Sequence, residues 1–474
     1  MDNLRYKISN WLAENKGSMI NDTMELLKIN SESYNREEVQ KALNKTMEIA
    51  ENLGFKTEIR ANGEVGVVFF GKGVETLGIL AHIDVVPIGD IAAWTHSPFG
   101  EIFEDKIFGR GIIDNKGMVI SSLYAMAAVK SLNMPIYKNV ELIIGTREEI
   151  SWDDLLIYEK ENHSLPNYGF TPDGEFPIIN REKGNCELCI TFADESCDGE
   201  FELMDLKSGE AVNSIPDSAW AKIKGNFDIL KNLVLEFNVT NQNEKLTITK
   251  ISDDISIVSA SGKAAHSSLP EHGDNALVTL CSFLSKLSIN NKAVKNLSFF
   301  VHNFFNDNYY GDKLGLPKHE EFINGEEMGR TTVAPTIVYM EKEINLYLSI
   351  RCVFGTKKNE VINMFDKLRN QYTFNYIITD YLDPLYVPRD HKFIEILEKV
   401  YGTVTNTKAE FILAGGTTYA KAIPNTVAFG PIFPNDIDNA HQKDEFIVVD
   451  NFMKATEIYS LVVAEVLLNE NSLK

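Results

Sequence analysis

Short apolar runs alternate with amphipathic segments along the N-terminal part of the chain. A short apolar run bounded by turn residues is typical of a buried strand, whereas apolar positions spaced three and four apart indicate a helix. Helices are predicted over 37–53, after Lys116 and over 153–161, and strands over the runs GVVFFG, LGILAHID and NVELIIGT. This alternation predicts an α/β sheet that is buried on both faces.

The middle of the chain is richer in alternating, strand-like segments. Strands are predicted over KLTITKIS, ISIVSAS, EINLYLSIRCV and TFNYIITD, with a helix over DNALVTLCSFLSKL. The earlier pattern returns with the helix HKFIEILEKVYG, the strand TVAFG and a last helix near 449–468. We therefore predict a two-domain α/β protein, in which a mixed-sheet domain (1–183 and 384–474) is interrupted by an inserted α+β domain (184–383).

The composition is acidic and narrows the classes of partner. The 474 residues include 46 Lys and Arg against 68 Asp and Glu, a formal net charge of −22. Such a charge disfavours nucleic acid and anionic membrane surfaces as partners. The N-terminal segment lacks the apolar core of a signal peptide, and no apolar run reaches the length of a membrane span. We therefore expect a cytoplasmic protein.

Residues that can bind a divalent cation follow the apolar runs of the α/β part and recur near the C-terminus. They are His82, Asp114, Glu148, Glu149, Asp173 and His441. Two imidazoles and several carboxylates are the donor set that a hydrolytic pair of zinc or manganese ions requires. In open α/β sheets, ligands bind just beyond the carboxyl ends of the strands. The pattern therefore predicts a metal centre at that edge.

His82 and Asp84 form an H-x-D pair, whose side chains face the same way on a strand. His82 can then bind a metal through one ring nitrogen, while Asp84 accepts a hydrogen bond from the other. The alternative for this pair alone is a histidine at a strand end followed by a helix-capping aspartate.

The acidic positions also have structural alternatives. Asp114 lies in the glycine-rich stretch GRGIIDNKG, where its carboxylate can bridge two cations or simply cap the next helix. Glu148 and Glu149 can divide the work between metal binding and proton transfer, or can form the first acidic turn of a helix. Asp173 can be an ordinary turn residue. Only their joint occurrence, in this order, favours a metal site.

Six motifs in this order resemble the co-catalytic metallopeptidases related to carnosinase and aminoacylase, and most of all the bacterial PepV-type dipeptidases. The motifs are AHIDVVPIGD, GRGIIDNKG, GTREE, PDGEFP followed by EKG, SGKAAHSSLPEHGDNA and AHQKDEFI. The similarity covers essentially the whole chain. It implies a zinc-peptidase catalytic domain that binds two divalent cations (zinc, or else manganese or cobalt), and an inserted lid domain.

The resemblance implies one role for each candidate ligand. Asp114 would bridge the two cations. His82 and Asp173 would complete one site, and Glu149 and His441 would complete the other.

Further roles follow from the same resemblance. Glu148 would be the general base, Asp84 would support His82, and the peptide bond after Asp114 would be cis. Deacylases of this superfamily usually have glutamate at the position of Asp173, whereas dipeptidases and aminopeptidases usually have aspartate. The aspartate therefore implies a substrate with a free amino group.

The inserted domain would contribute substrate contacts in the resembling enzymes. His266, in SGKAAHS, would help to stabilise the oxyanion, Arg351 would bind the C-terminal carboxylate of the substrate, and Asn213 would lie at the substrate. Outside that family context, His266 is an ordinary loop histidine and Arg351 a strand-end arginine in a surface ion pair.

One loop that would approach the substrate departs from the family pattern. The pattern G-G-G-T-Y-[AG]-R begins here at Gly415 and Gly416, but Thr417 replaces the third glycine and Lys421 the arginine. Arg147 likewise replaces an acidic residue just before the two glutamates. These changes affect substrate preference more than metal binding, since every ligand position is filled.

The sequence therefore predicts a dinuclear metallo-dipeptidase that hydrolyses free dipeptides with a metal-activated water. One alternative is an N-acyl amino acid amidohydrolase with the same metal core. Another is a non-catalytic metal- or amino-acid-binding protein, an alternative motivated by Thr417, Lys421 and Ala334, which stands where the resembling lids usually have asparagine. The inserted domain matches the long lid of the PepV type, so a monomer or a homodimer acting on small peptides is expected.

Overall fold

The computed structural model describes residues 2–161, 165–193, 195–242, 244–316 and 318–473. The chain forms two compact units. The first comprises Met1–Arg181, Tyr386–Ile412 and Thr418–Lys474, and the second comprises Glu182–Leu385 and Leu413–Thr417.

The described residues include ten α-helices. They are α1 Asp2–Leu27, α2 Arg36–Asn52, α3 Lys116–Ser131, α4 Asp153–Glu161, α5 Phe227–Thr240, α6 Ala276–Leu284, α7 Lys292–Phe305, α8 Lys358–Tyr372, α9 Lys392–Thr405 and α10 Val449–Leu467.

The strands vary from two to nine residues. In chain order they are β1 Lys56–Arg60, β2 Val65–Gly71, β3 Thr76–His82, β4 Glu101–Phe103, β5 Lys106–Phe108, β6 Asn139–Gly145, β7 Tyr168–Thr171, β8 Gly174–Glu175, β9 Ile178–Glu182, β10 Gly184–Phe192, β11 Glu202–Ser208, β12 Ser214–Ile215, β13 Ser218–Lys224, β14 Leu246–Lys250, β15 Ile255–Ser261, β16 Ala265–His266, β17 Phe322–Ile323, β18 Glu326–Glu327, β19 Thr332–Met340, β20 Ile344–Cys352, β21 Asn375–Leu382, β22 Leu385–Tyr386, β23 Phe411–Ala414, β24 Thr426–Ala428, β25 Pro431–Ile432 and β26 Phe446–Val448.

The first unit is built on a mixed sheet with the strand order β1-β2-β6-β3-β7-β24-β9. The four central strands β6, β3, β7 and β24 run parallel to one another. β1 and β2 pair antiparallel at one end, β2 is antiparallel to β6, and β9 is antiparallel to β24. The carboxyl ends of β3, β6 and β7 therefore meet at one edge of this sheet.

Helix α3 is buried on all sides in the core of the first unit. All residues of α3 up to Val129 are buried, and the segment between Lys116 and Lys130 carries no charge. A helix that is apolar all round belongs in a core. A second apolar cluster forms around Leu80 of β3 and includes Tyr158 and Tyr419.

The second unit is built on an antiparallel sheet with the order β14-β15-β13-β11-β19-β20-β10-β21. Alternate residues of these strands, such as Ala219, Ala221 and Ile223 of β13, enter one core cluster with residues of α5, α6, α7 and α8. Because side chains alternate between faces along a strand, the helices cover one face of the sheet. This is an α+β arrangement.

The predicted fold class, a mixed-sheet α/β domain with an α+β domain, is confirmed. The domain bounds stay a prediction. One segment falls in a different unit from the one predicted for it. The loop Leu413–Thr417 groups with the second unit, although the sequence had placed it in the C-terminal part of the first. Among the described ranges, none of the helices combines the length and the apolarity that crossing a membrane requires.

Candidate metal centre

Three parallel strands bring four candidate residues to one edge of the first unit. His82 is the last residue of β3, Glu148 and Glu149 lie in the turn after β6, and Asp173 lies in the turn after β7. The two glutamates are not part of a helix, because α4 begins only at Asp153. The alternative of an acidic first turn of a helix is therefore wrong for them.

Four of the five predicted ligands, together with the predicted base Glu148, form two overlapping groups. One group is His82, Glu148 and Asp173, and the other is His82, Asp114 and Glu149. Within each group, one ligand atom per residue lies within 4.8 Å of the others. His82 thus belongs to both groups.

Asp114 and His441 extend this cluster. Nε2 of His82 lies 2.8 Å from Oδ1 of Asp114, and Nε2 of His441 lies 2.8 Å from Oδ2 of the same carboxylate. Nε2 of His441 also lies 3.0 Å from Oε1 of Glu149. The two oxygens of Asp114 therefore face two different histidines, which is the arrangement a bridging carboxylate needs.

The donor atoms fit a cation better than they fit one another. Nε2 of His82 and Oδ1 of Asp114 are both buried and lack a partner in hydrogen-bonding geometry, although they lie 2.8 Å apart. An unsatisfied buried polar atom is costly, and such atoms need an explanation in a native structure. A divalent cation accepts lone pairs from both atoms and supplies that explanation.

Burial shapes the proton affinity of the acidic groups. It raises the pKa of Asp173 to about 8, with a further contribution from the charge of Asp114. It also raises the pKa of Glu148 well above its usual value, and to a smaller degree that of Glu149. Positive charge at this site would offset these costs and let the carboxylates ionise.

The histidines and Asp114 shift each other's pKa values. Burial opposes ionisation of Asp114, but the close contacts with His441 and His82 outweigh it and hold the pKa of this carboxyl well below its usual range. Burial opposes protonation of His441, but its contacts with Asp114 and Glu149 outweigh that effect and raise its pKa to about 11. The cluster therefore attracts positive charge.

Asp84 is buried and organises both sides of the cluster. Nδ1 of His82 lies 3.0 Å from the main-chain oxygen of Asp84 and 3.5 Å from its carboxylate. The same carboxylate accepts hydrogen bonds from the main-chain N–H groups of Glu148 and Glu149, at 3.2 and 3.3 Å, and from the hydroxyl of Ser33 at 2.8 Å. Asp84 thus supports the two glutamates directly, a function that the H-x-D spacing alone did not reveal.

Two turns of the cluster are tied together by Asn115. Its side-chain amide donates a hydrogen bond of 2.8 Å to the main-chain oxygen of Pro172, next to Asp173. The peptide bond between Asp114 and Asn115 is cis, as the resemblance implied. Asn115 therefore links the turn of Asp114 to that of Asp173.

Arg147 does not join the cluster. Its Nε lies 3.3 Å from Oε2 of Glu64, and its main-chain oxygen accepts hydrogen bonds from the N–H groups of residues 150, 151 and 152. The arginine that replaces an acidic residue is thus held by a partner away from the ligands.

In the second unit, His266 has a defined tautomer. The main-chain N–H of Ser268 donates to Nδ1 of His266 at 3.2 Å, and the Ser268 hydroxyl lies 2.7 Å from the same atom. Because Nδ1 accepts, the ring proton is on Nε2. Burial and the charge of Arg351 lower the pKa of His266, so the ring is a neutral donor. Ser268 was not among the predicted residues.

Asn213 lies beside His266 in the same unit. Ser214 and His266 are paired across β12 and β16, and the main-chain oxygen of Asn213 accepts a hydrogen bond of 2.8 Å from the N–H of Ser267. The side chain of Asn213 is exposed.

Arg351, near the end of β20, is not the surface ion pair that its sequence context allowed. Its side chain is only 6% exposed, and its buried Nε has no hydrogen-bond partner. Burial lowers its pKa, an effect that the charges of Glu187 and Asp380 oppose. A buried guanidinium with unused donors is suited to a carboxylate ligand.

The loop with the departures is divided between the units, with Gly415, Gly416 and Thr417 in the second unit and residues 418–421 in the first. A side chain at Gly415 would come within 2.6 Å of the Ser268 hydroxyl, so glycine is required there by close approach. Gly416 faces open space, and Thr417 is partly exposed. Thr417 therefore replaces a glycine at a position where a side chain is accommodated.

The comparisons with known proteins are consistent with this geometry. Residues 78–465 match the sequence profile of Peptidase family M20/M25/M40. "Putative dipeptidase YtjP" of Bacillus subtilis (strain 168) is 34% identical over 476 residues, which cover 96% of this chain and 99% of the relative. "Putative dipeptidase SAB1611c" of Staphylococcus aureus (strain bovine RF122 / ET3-1) is 33% identical over 428 residues, or 89% of each chain.

Solved structures share the fold over nearly the full length. Human carnosine dipeptidase 1 superposes with a TM-score of 0.60 at 16% identity, covering 98% of this chain and 99% of the other. The di-peptidase Dug1p from Saccharomyces cerevisiae gives 0.61 at 13% identity, with the same coverage. Aminopeptidase PepT from Bacillus cereus ATCC 10987 gives 0.55 at 15% identity, with 95% and 99% covered. At these identities the likeness concerns the fold alone.

Proposed function

Because the chain belongs to Peptidase family M20/M25/M40, we propose that it is a metal-dependent dipeptidase that hydrolyses free dipeptides. The observation that carries the proposal is the pair of overlapping donor groups that share His82. The relatives whose printed names call them dipeptidases support the substrate class.

We propose that two divalent cations would be held here, with Asp114 shared between them, His82 and Asp173 holding one, and Glu149 and His441 holding the other. The support is the orientation of the two Asp114 oxygens toward two histidines. The mixed nitrogen and oxygen donor set suits zinc, and manganese or cobalt also fit. When bound, divalent cations polarise the scissile carbonyl and lower the pKa of a water molecule toward neutrality.

Glu148 is the proposed general base. Its carboxylate lies within the donor group of His82 and Asp173, and its main chain is held by Asp84. Burial raises its pKa well above the usual value in the absence of metal, and the positive charge of bound cations would lower that pKa and leave the carboxylate able to accept a proton. Glu148 removes a proton from the attacking water and then delivers it to the amine of the leaving amino acid.

The second unit is proposed to act as the lid that recognises the substrate. The Nε2–H group of His266 donates a hydrogen bond to the oxyanion of the tetrahedral intermediate. Arg351 binds the C-terminal carboxylate through its fork of donors, and Asn213 and the loop at Gly415, with Gly416 and Thr417, contact the peptide backbone. The support is the neutral, oriented His266 and the unused donors of Arg351.

The proposal also covers the location of the protein and the N-terminus of its substrate. The acidic composition of the chain favours a proposed location in the cytoplasm. Asp173 stands where glutamate marks deacylases, so a substrate with a free amino group is favoured over an N-acyl amino acid.

The experiment that tests the proposal compares free dipeptides, their N-acetylated forms and a tripeptide. Each is incubated with the protein plus Zn²⁺, Mn²⁺ or EDTA, and released amino acids are measured. We expect hydrolysis of the free dipeptides that EDTA abolishes and added cation restores. Preferential hydrolysis of the acetylated set would instead identify a deacylase, and metal binding without turnover on any substrate would identify a binding protein.

A further inference from the structure

Two loops run side by side next to the cluster. One leaves β5 and reaches Asp114, and the other carries His441 and enters β26. β5 and β26 pair antiparallel, and the main-chain N–H of Gly109 donates to the oxygen of Glu445 at 2.9 Å. Each of these two neighbouring loops thus carries one proposed ligand.

Glu445 is fully buried, and its carboxylate binds the main chain of the loop that carries Asp114. Its Oε1 accepts hydrogen bonds from the N–H groups of Ile113 at 2.9 Å, Gly111 at 3.1 Å and Asp114 at 3.3 Å. A carboxylate that accepts several main-chain N–H bonds fixes the path of a loop that has no regular structure.

Arg110 completes the connection from the other side. Its Nη1 donates to Oε2 of Glu445 at 2.7 Å and to the main-chain oxygen of Gln442 at 3.1 Å. Its Nη2 donates to the main-chain oxygen of His441 at 3.2 Å, and its guanidinium lies 5.2 Å from the ring centre of Trp94. Arg110 is itself only 4% exposed.

His441 needs this support more than His82 does. The His82 side chain is 1% exposed and its Nδ1 contacts Asp84, whereas the His441 side chain is 51% exposed. His441 also has a φ of +64°, an uncommon conformation for a residue with a side chain. Apart from its contacts with Asp114 and Glu149, the placement of its ring therefore depends on the main chain that Arg110 holds.

We infer that the buried pair of Arg110 and Glu445 is a positioning device that sets the distance between Asp114 and His441. The inference rests on the proposed function only in taking these two residues as metal ligands. The pair touches neither ligand side chain, so it acts through the main chain. Because Asp114 would serve both cations and His441 only one, loss of the pair weakens both metal sites, and most of all the site that His441 completes.

Metal binding, measured without any substrate, tests this inference. The full-length chain and the variants Glu445→Gln and Arg110→Lys are stripped with chelator and titrated with Zn²⁺ against a competing chelator. Co²⁺ is titrated in parallel, because its visible absorption reports the geometry of each site. Glutamine keeps the size of the side chain but loses its charge, and lysine keeps the charge but loses the fork.

Matched controls come from a similar ion pair elsewhere in the first unit. Nε of Arg5 donates to Oε1 of Glu457 at 2.7 Å, and Nη1 of Arg5 donates to the main-chain oxygen of Thr403 at 2.8 Å. Arg5→Lys and Glu457→Gln therefore make the same chemical changes away from the cluster.

We expect the unaltered chain and both controls to bind two equivalents of Zn²⁺. Glu445→Gln and Arg110→Lys should bind both equivalents more weakly, one of them by at least about tenfold and the other by less, with a changed Co²⁺ spectrum, since supporting partners of ligands typically contribute that much. Two unchanged equivalents, or an equal loss at both sites, would overturn the inference. So would unfolding of both variants in circular dichroism, because the pair would then be a general element of stability.

The two proposals fail in different ways. If the unaltered chain binds two cations but hydrolyses no peptide, the proposed function is wrong and the positioning role is still measurable. If the unaltered chain hydrolyses dipeptides and both variants bind metal normally, only the positioning role is wrong.

Discussion

The hydroxyl of Tyr419 donates a hydrogen bond of 2.8 Å to Oδ2 of Asp154, and both residues are buried. The same oxygen accepts from the main-chain N–H groups of Thr146 and Arg147, at 2.6 and 3.1 Å. Asp154 therefore shapes the turn that leads from β6 to Glu148. Neither Tyr419 nor Asp154 was singled out from the sequence, although Tyr419 belongs to the loop that departs from the family pattern.

Tyr419→Phe removes this hydrogen bond while keeping the ring. We expect a loss of about 1 kcal/mol in the free energy of unfolding, since a buried acceptor loses one partner. We also expect kcat to fall by about tenfold, because the Glu148 turn shifts. Urea unfolding and dipeptide kinetics measure the two effects. Tyr124→Phe, which removes a 2.8 Å bond to Asp22, is the control and should lose stability without losing activity.

Glu148→Gln tests the proposed base. We expect kcat to fall by about 10²–10⁴-fold, the usual contribution of a general base, with two equivalents of metal still bound. Metal content and kcat are measured on the same preparation. Activity within tenfold of the original would show that Glu148 is not the base. Glu101→Gln, which changes a partly exposed glutamate of the first unit, should leave kcat unaltered.

Removal of metal should make stability depend on pH. The pKa of Asp173 is raised to about 8 and that of His441 to about 11, against about 3.9 and 6.5 in an unfolded chain. Asp173 is therefore protonated in the folded chain but ionised in the unfolded chain between about pH 3.9 and 8, and His441 is protonated only in the folded chain between about pH 6.5 and 11. The free energy of unfolding therefore falls as pH rises, from about 4 to 8 for Asp173 and above about 6.5 for His441.

The Tm of EDTA-treated protein is accordingly expected to fall between pH 6.5 and 8, where both effects act together. Added Zn²⁺ should reverse the fall, because a cation replaces the protons. Thermal melts over this pH range, with and without metal, measure the effect. Asp173→Asn, whose amide has no proton to lose, should show a shallower slope. A Tm that is flat or rises with pH would contradict the prediction.

His266→Ala tests the oxyanion role. We expect kcat to fall by about 10²–10³-fold with little change in KM, as for loss of an oxyanion donor. Ser268→Ala should produce a smaller fall, because it removes the hydroxyl next to Nδ1 but keeps the main-chain donor. Steady-state kinetics on one dipeptide measure both. His272→Ala, at an exposed position of the same segment, is the control.

Arg351→Lys separates charge from geometry at the proposed carboxylate contact. We expect KM to rise by about tenfold or more for a free dipeptide, because a lysine offers no planar fork. A dipeptide amide, which lacks the carboxylate, should be a poor substrate for both forms alike. Arg330→Lys, at an exposed pair with Asp312, should leave KM unchanged. An equal KM for Arg351→Lys and the original would exclude this contact.

Much of the architecture was predictable because local pattern decides it. The predicted helix over 37–53 is α2 at Arg36–Asn52, and the last helix, predicted near 449–468, is α10 at Val449–Leu467. Strand-like runs such as ISIVSAS became β15 at Ile255–Ser261. The position of the candidate ligands just beyond strand ends was also predictable, since parallel strands align their carboxyl ends.

The supporting partners were not predictable in the same way. Ser33 reaches Asp84, Tyr419 reaches Asp154, and Arg110 reaches Glu445 across large separations in the chain. Glu445 follows His441 closely in AHQKDEFI, so its place in a ligand motif was one available signal. Which main-chain groups it binds depends on how two loops meet.

The sequence by itself determined the types of side chain at the site and their position at strand ends, because strand periodicity and donor chemistry are local properties. Only the tertiary structure decided that the two oxygens of Asp114 face different histidines, that Arg351 is buried with an unused donor, and that Arg110 and Glu445 hold two loops together. These relationships depend on distances of a few ångströms between distant segments, which follow from the packing of the whole first or second unit.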